Sequence, residues 1–205
     1  MFLKALKSEQ QKIFKRLKHF PKFYLAGGTA LALQIGHRIS VDFDFFSEKE
    51  ISPGLLDKLR KIFKDFKVEA VINHSEQLSV NVNKIKIDFV KYNFPPLMDL
   101  SEFWGIKFLS IPEIAAAKAY TIGRRITFKD YIDLYFILRG KFVFLQNLIA
   151  ICKKKYKGEF NERLFLEQLI SLEEAEETPI EFLRKPITKR TMAEFFKKEI
   201  KKLKI

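Results

Sequence analysis

The chain predicts an α+β fold: a mixed-sheet lobe over residues 1–107, followed by an all-helical lobe over residues 108–205. Three observations carry that reading. Short apolar strands and helices interleave between Phe23 and Tyr92. Beyond Pro95-Pro96 and Trp104-Gly105 the apolar period becomes helical and stays so. Apolar residues, 47% of the chain with 22 Phe among its 205 residues, are numerous enough to fill one large domain or a core with a helical appendage.

Leu3 to Phe20 places Leu3, Leu6, Ile13, Phe14 and Leu17 near helical spacing, and Pro21 stops that helix. Phe23 to Leu25 reads as a short strand running into Gly27-Gly28. Thr29 to Ile35 reads as an apolar helix closed by Gly36. Val41 to Phe46 reads as a strand, and Ser52-Pro53 opens a helix running to about Phe66. Three strands follow at Val68–Ile72, Gln77–Val82 and Ile85–Tyr92, the last two joined by a tight turn at Asn83-Lys84. In the last strand Ile85, Ile87 and Phe89 share one face, so Lys86 and Asp88 share the other. Pro112 then starts a helix through Ile114–Ile122, and Phe128–Leu138 forms another. Two or three more helices fill residues 142–205, with breaks near Thr178-Pro179 and Pro186.

Charge narrows the partners. With 38 Lys+Arg against 25 Asp+Glu the net charge is +13, which favours polyanions such as RNA, DNA or nucleotides, or an acidic protein. The same lysine-rich composition also suits the surface networks of heat-adapted proteins. Part of the surplus, Lys197, Lys198, Lys201, Lys202 and Lys204, suits a solvated helix face as well. No apolar run approaches the roughly 20 residues that span a bilayer. The N-terminus lacks the apolar stretch and cleavage site of a secretory signal. A single cysteine, Cys152, excludes an intramolecular disulfide and argues against a cysteine zinc site. A cytoplasmic protein with no membrane segment is expected.

The chemistry concentrates in residues 26–46, AGGTALALQIGHRISVDFDFF. Gly27, Gly28 and Thr29 open a short apolar helix, where glycine lets backbone approach a phosphate and free N–H groups face it. Asp42 and Asp44, two apart on a strand, put two carboxylates on one face, suited to Mg²⁺. Asp88 on a later strand is costly to bury unless it is paired or binds metal. Three carboxylates at one sheet edge can hold two Mg²⁺ ions for in-line phosphoryl or nucleotidyl displacement, with Asp88 as ligand, proton acceptor or both. Asp42 and Asp44 on an exposed edge strand would be the plain alternative.

In the helical half, Lys118 lies on a small-residue face (IAAAKAYTI) and has room to reach an anion or solvent. Lys129 and Asp133, at i and i+4, could form an ordinary surface ion pair. Arg124 and Arg125 could each clamp phosphate or RNA, and the sequence does not choose between them. His37 reads as structural, Arg38 as a phosphate contact or a partner for an aspartate, Ser40 as a brace of the turn, and His19 and His74 as surface residues.

The glycine pair, the spaced DxD and the lone strand aspartate together resemble the DNA polymerase β-type nucleotidyltransferase superfamily. The fuller string GGTALAL..GHRIS.DFDFF, joined to Lys118, Arg124/Arg125 and KDYIDL, resembles more narrowly the AbiEii/AbiGii toxin family of nucleotidyltransferases. That resemblance spans about residues 20–140. It implies a polymerase β-like lobe followed by a helical one, and Mg²⁺-dependent transfer of a nucleoside monophosphate from an NTP. The acceptor it implies is RNA, tRNA in some members, in a toxin opposed by an antitoxin protein. It assigns Gly27, Gly28 and Thr29 to the phosphate-side loop, Asp42, Asp44 and Asp88 to metal, and Lys118, Lys129 and Asp130 to the nucleotide. Transfer to a protein or small-molecule hydroxyl, or a nucleotide-binding regulator without catalysis, remain the competing expectations.

Overall fold

In the computed structural model, which describes residues 1–122, 124–125 and 127–203, the chain divides into two compact units, Met1–Ser110 and Ile111–Ile205. A boundary at 107/108 would pass through a strand, Ile106–Phe108. Lys204, one of the C-terminal lysines, lies outside the described residues.

The first unit is built on a mixed sheet. Its strands are β1 (Tyr24–Ala26), β2 (Phe43–Ser47), β3 (Val68–His74), β4 (Gln77–Val82), β5 (Ile85–Lys91), β6 (Ser101–Phe103) and β7 (Ile106–Phe108). Among the described residues the order across the sheet is β3-β4-β5-β2-β1-β7-β6. β2 runs antiparallel to β1 and parallel to β5, so the strand carrying Asp44 lies in the sheet's interior. Alternation packs the sheet: Phe43 and Phe45 of β2 and Ile87 and Phe89 of β5 are buried, and Phe45 and Phe89 stack with ring centroids 5.5 Å apart. Asn83 and Lys84 turn β4 into β5 with φ of 47° and 68°, the doubly left-handed turn that matches strand twist.

Four local expectations are corrected. Residues 3–20 do not form one helix; α1 covers only Ser8–Phe14, between two single turns at Leu3–Ala5 and Leu17–His19. Gln10 explains the start, because its Oε1 accepts from the Lys7 N–H at 3.0 Å and caps the helix. The helix after β1, α2, runs Gly27–Ile35 and so begins two residues before Thr29, with the glycines in its first turn. Gly36 closes it at φ 63°, as expected. α3 is shorter than expected, Leu55–Ile62. Finally, residues 101–108, for which no strand was expected, form a β6–β7 hairpin turned by Trp104 and Gly105 at φ 54° and 73°. Strands of three residues are too short to show a period.

The second unit contains α4 (Ile111–Ile122), α5 (Phe128–Arg139), α6 (Leu145–Tyr156), α7 (Glu162–Ile170) and α8 (Lys189–Ile200). Its core includes a buried ion pair: Lys155 Nζ of α6 donates to Glu113 Oε2 of α4 at 3.0 Å, both side chains at most 1% exposed. Among the described residues no helix is long and apolar enough to cross a membrane.

Candidate active site

Strand register assembles the site. Ala26 of β1 sits opposite Asp44 of β2, Asp44 opposite Asp88 of β5, and Asp88 opposite Ser79 of β4. Paired residues on neighbouring strands point to the same face, so Asp44 and Asp88 stand side by side on adjacent parallel strands. Asp42 precedes the strand instead of lying within it, since β2 begins at Phe43, and its side chain is exposed.

Two devices fix the two aspartates of the DxD. Gly27, at φ 64°, lies against Asp44 so closely that a Cβ there would overlap Asp44 Oδ2 and come within 3.1 Å of its Cγ. The helix N-terminus therefore abuts the Asp44 carboxylate. Thr29 is buried, and its hydroxyl lies 2.7 Å from Ser40 Oγ and donates to the Asp42 backbone carbonyl. This differs from the phosphate contact expected of Thr29: the hydroxyl is spent on residues 40–42. Gln10 Nε2 donates to the Ser40 carbonyl at 2.8 Å, and the Ser40 N–H to the Ala5 carbonyl at 3.0 Å. Ser40 is thus held from three sides, and its expected bracing role is realised. His37 is fully buried, in keeping with a structural residue, and Arg38 is 4% exposed with an Nη1 bond to the Ile39 carbonyl.

Asp88 is buried, and its two oxygens differ. Oδ2 accepts a 2.7 Å ion pair from Lys86 Nζ, whereas Oδ1 is enclosed with no hydrogen-bond partner among the described residues. Lys86 is held above the ordinary lysine value, first by the hydrogen bond to Asp88, against partial desolvation, and then by the charges of Asp88, Asp42 and Asp44. One ammonium thus lies in the field of all three carboxylates. Among the described residues no three His, Cys, Asp or Glu side chains converge on a ready-made metal position. Carboxylate oxygens, one of them orphaned, are the donor chemistry that a hard divalent ion such as Mg²⁺ takes. Lys86 escaped selection from sequence, although its place beside Asp88 was legible from strand alternation.

In the second unit Lys118 of α4 is 13% exposed and clasped by two aspartates of α5: Asp130 Oδ1 at 2.5 Å and Asp133 Oδ2 at 2.9 Å. Asp130 and Asp133, three apart, share one helix face. Arg125 Nη2 approaches Asp130 Oδ2 at 3.5 Å from an exposed position. Arg124 is engaged elsewhere, its guanidinium 3.5 Å above the Tyr120 ring and bonded to the Glu159 carbonyl. Arg125 is therefore the arginine that joins the Lys118 cluster. The possible Lys129–Asp133 pair does not form, because Asp133 turns to Lys118; half-buried Lys129 makes no ion pair among the described residues.

The site is thus a mixed sheet bearing two adjacent carboxylates, with a glycine-led helix against one of them. The profile of the nucleotidyl transferase AbiEii toxins, from type IV toxin–antitoxin systems, matches residues 12–204, and the chain belongs to that family. It is 32% identical over 204 residues to the uncharacterized protein aq_aa25 of Aquifex aeolicus, covering 97% of this chain and 98% of that one. Among solved structures, the nucleotidyltransferase toxin MenT4 of Mycobacterium tuberculosis H37Rv is similar at TM-score 0.59 and 14% identity, over 95% of this chain and 82% of that one. JHP933 of Helicobacter pylori is similar at TM-score 0.51 and 18% identity, over 81% and 75%. At those identities the two structures speak to the fold alone, and they share it.

Proposed function

We propose that this chain transfers a nucleoside monophosphate from an NTP to RNA, with tRNA the acceptor class to test first, and that it acts as the toxin of a toxin–antitoxin pair. The observation that carries the reading is the lateral pairing of Asp44 with Asp88, with the first turn of α2 packed on Asp44. Family membership supports nucleotidyl transfer and the toxin role. The +13 charge supports a polyanionic acceptor.

Asp42, Asp44 and Asp88 are the residues that would hold Mg²⁺, two ions in the fullest form of the proposal. Bound there, Mg²⁺ supplies neutralisation of the triphosphate and a lower pKa for the acceptor hydroxyl. The protein's own groups do the rest. Gly27 and Gly28 present backbone N–H groups at a helix N-terminus, where phosphate oxygens are favoured. Thr29 acts by positioning the Asp42 backbone. Asp88 is the carboxylate assigned to take up the acceptor proton, or to hold a cation, as the new ester bond forms at the α-phosphorus and pyrophosphate departs. Lys118 and Lys129 are assigned to phosphate charge, with Asp130 setting the position of Lys118.

The test incubates each labelled NTP with Mg²⁺ and total tRNA, using wild type and the Asp42→Ala/Asp44→Ala variant. Label entering tRNA only with wild type is expected. Equal incorporation by both proteins overturns the carboxylate assignment, and label on protein but never on RNA overturns the acceptor.

A further inference from the structure

Lys86 has no place in the function proposed above, yet its ammonium lies 2.7 Å from Asp88 Oδ2 and in the field of Asp42 and Asp44. Its side chain is 46% exposed while that of Asp88 is 11% exposed. The stem is therefore free to swing outward, whereas the carboxylate it neutralises is fixed in the sheet. Asp88 offers only one oxygen to a newcomer while Lys86 holds the other.

We infer that Lys86 is a resident counter-ion of Asp88 and competes with divalent metal for that carboxylate. This rests on the reading of Asp42, Asp44 and Asp88 as metal ligands. In the resting protein Lys86 keeps Asp88 from facing Asp44 as an uncompensated buried charge, a cost that would otherwise fall on the fold. Metal uptake displaces the ammonium into solvent, so the site is stable when empty and binds metal more weakly than three free carboxylates would. Lys86 is thus a positioning residue that sets metal affinity without touching the nucleotide.

Mn²⁺ binding by calorimetry and electron spin resonance, without nucleotide, tests this on the full chain. Wild type is compared with Lys86→Met, which keeps the stem and removes the charge, with Lys86→Arg, which keeps a charge, and with Asp44→Asn. Lys86→Met is expected to bind Mn²⁺ about tenfold more tightly, the effect of removing a unit charge several ångströms from a divalent ion in a water-like dielectric. Lys86→Arg should stay near wild type and Asp44→Asn should bind far more weakly. Circular dichroism melting establishes that each variant is folded. If wild type binds Mn²⁺ in an Asp44-dependent way and Lys86→Met binds no more tightly, the competition is refuted and the metal site stands. If neither wild type nor Lys86→Met binds Mn²⁺, or Asp44→Asn binds as well as wild type, the metal-ligand reading falls and this inference with it.

Discussion

Gly27 and Asp44 are packed so closely that the first residue of α2 has no room for a methyl group beside the Asp44 carboxylate. The contact joins the two halves of the sequence motif, the glycine pair and the DxD, which lie on neighbouring antiparallel strands and their following helix. Gly27→Ala should therefore act on Asp44 first. A left-handed φ of 64° costs an alanine about 1–2 kcal/mol, and the overlap with Asp44 adds to it. Nucleotidyl transfer is expected to drop by at least roughly a hundredfold, as a misplaced catalytic group does, with a fall in melting temperature of only several degrees. Gly28→Ala, at a position without a left-handed φ, should be milder on both measures. A Gly27→Ala protein with undiminished transfer would show that Asp44 is not held for chemistry.

Thr29 gives a second prediction, because its hydroxyl serves the Asp42 carbonyl and Ser40 Oγ. Thr29→Val keeps the shape and removes both bonds, one to a part-buried carbonyl and one to the buried Ser40 hydroxyl, at a cost of about 1–3 kcal/mol. Thr29→Ser retains the hydroxyl and should retain most activity. If Thr29 acts through Asp42, Thr29→Val should lose kcat with KM for NTP little changed. A large rise in KM with kcat intact would return Thr29 to direct phosphate contact.

Lys118 separates a structural from a functional role. Asp130 and Asp133 are almost wholly buried, so Lys118→Met takes a close cation from two carboxylates. Removing one partner of a buried ion network costs about 3–5 kcal/mol. Adding Asp133→Leu should recover much of that stability, measured by urea unfolding, because an apolar replacement of a buried pair is often neutral. Nucleotide binding should remain impaired in the double variant if Lys118 meets phosphate, and should return with stability if it does not. The Glu113–Lys155 pair supplies the comparison: Lys155→Met should unfold more readily, yet bind NTP normally where it is folded.

How legible this was depended on the range of the interaction. Alternation placed Lys86 and Asp88 on one face of β5, and Asn83-Lys84 announced its turn, because both are local properties of a strand. The Asp44–Asp88 adjacency was legible only as an expectation, since parallel pairing of β2 with β5 joins segments about 40 residues apart. Lys118 with Asp133 was harder still: the i+4 spacing of Lys129 suggested a nearer partner, and only the packing of α4 on α5 redirects it. The bonds of Thr29 were hidden for a related reason. A threonine at a glycine-led helix start suits phosphate by type, and nothing local shows that residues 40–42 reach its hydroxyl first.

Cys152 gives a prediction with a defined pH window. The thiol is fully buried, its Sγ 3.7 Å from the Ala116 carbonyl, and burial pushes it from 9.0 up to about 12 even though Lys155 pulls the other way. In the unfolded chain the thiol ionises from about pH 9, while the folded protein keeps its proton. Protons bound in the native state then exceed those bound in the unfolded state, and stability falls as pH rises. The contribution is fully present below pH 9 and is lost progressively towards 12, by at most about 1.4 kcal/mol per pH unit. Tyr131, itself pushed up by burial to about 12, adds a slope of the same sign only above its ordinary value of 10.0. The interval from pH 9 to 10 therefore isolates the cysteine. Under reductant, urea unfolding of wild type should show a decline in stability across that interval which Cys152→Ala largely lacks. Ellman's reagent at pH 8 should leave the native thiol unmodified and react at once in urea. Parallel pH curves for the two proteins, or rapid labelling of the native chain, would place this thiol at an accessible surface instead of in the core of the helical unit.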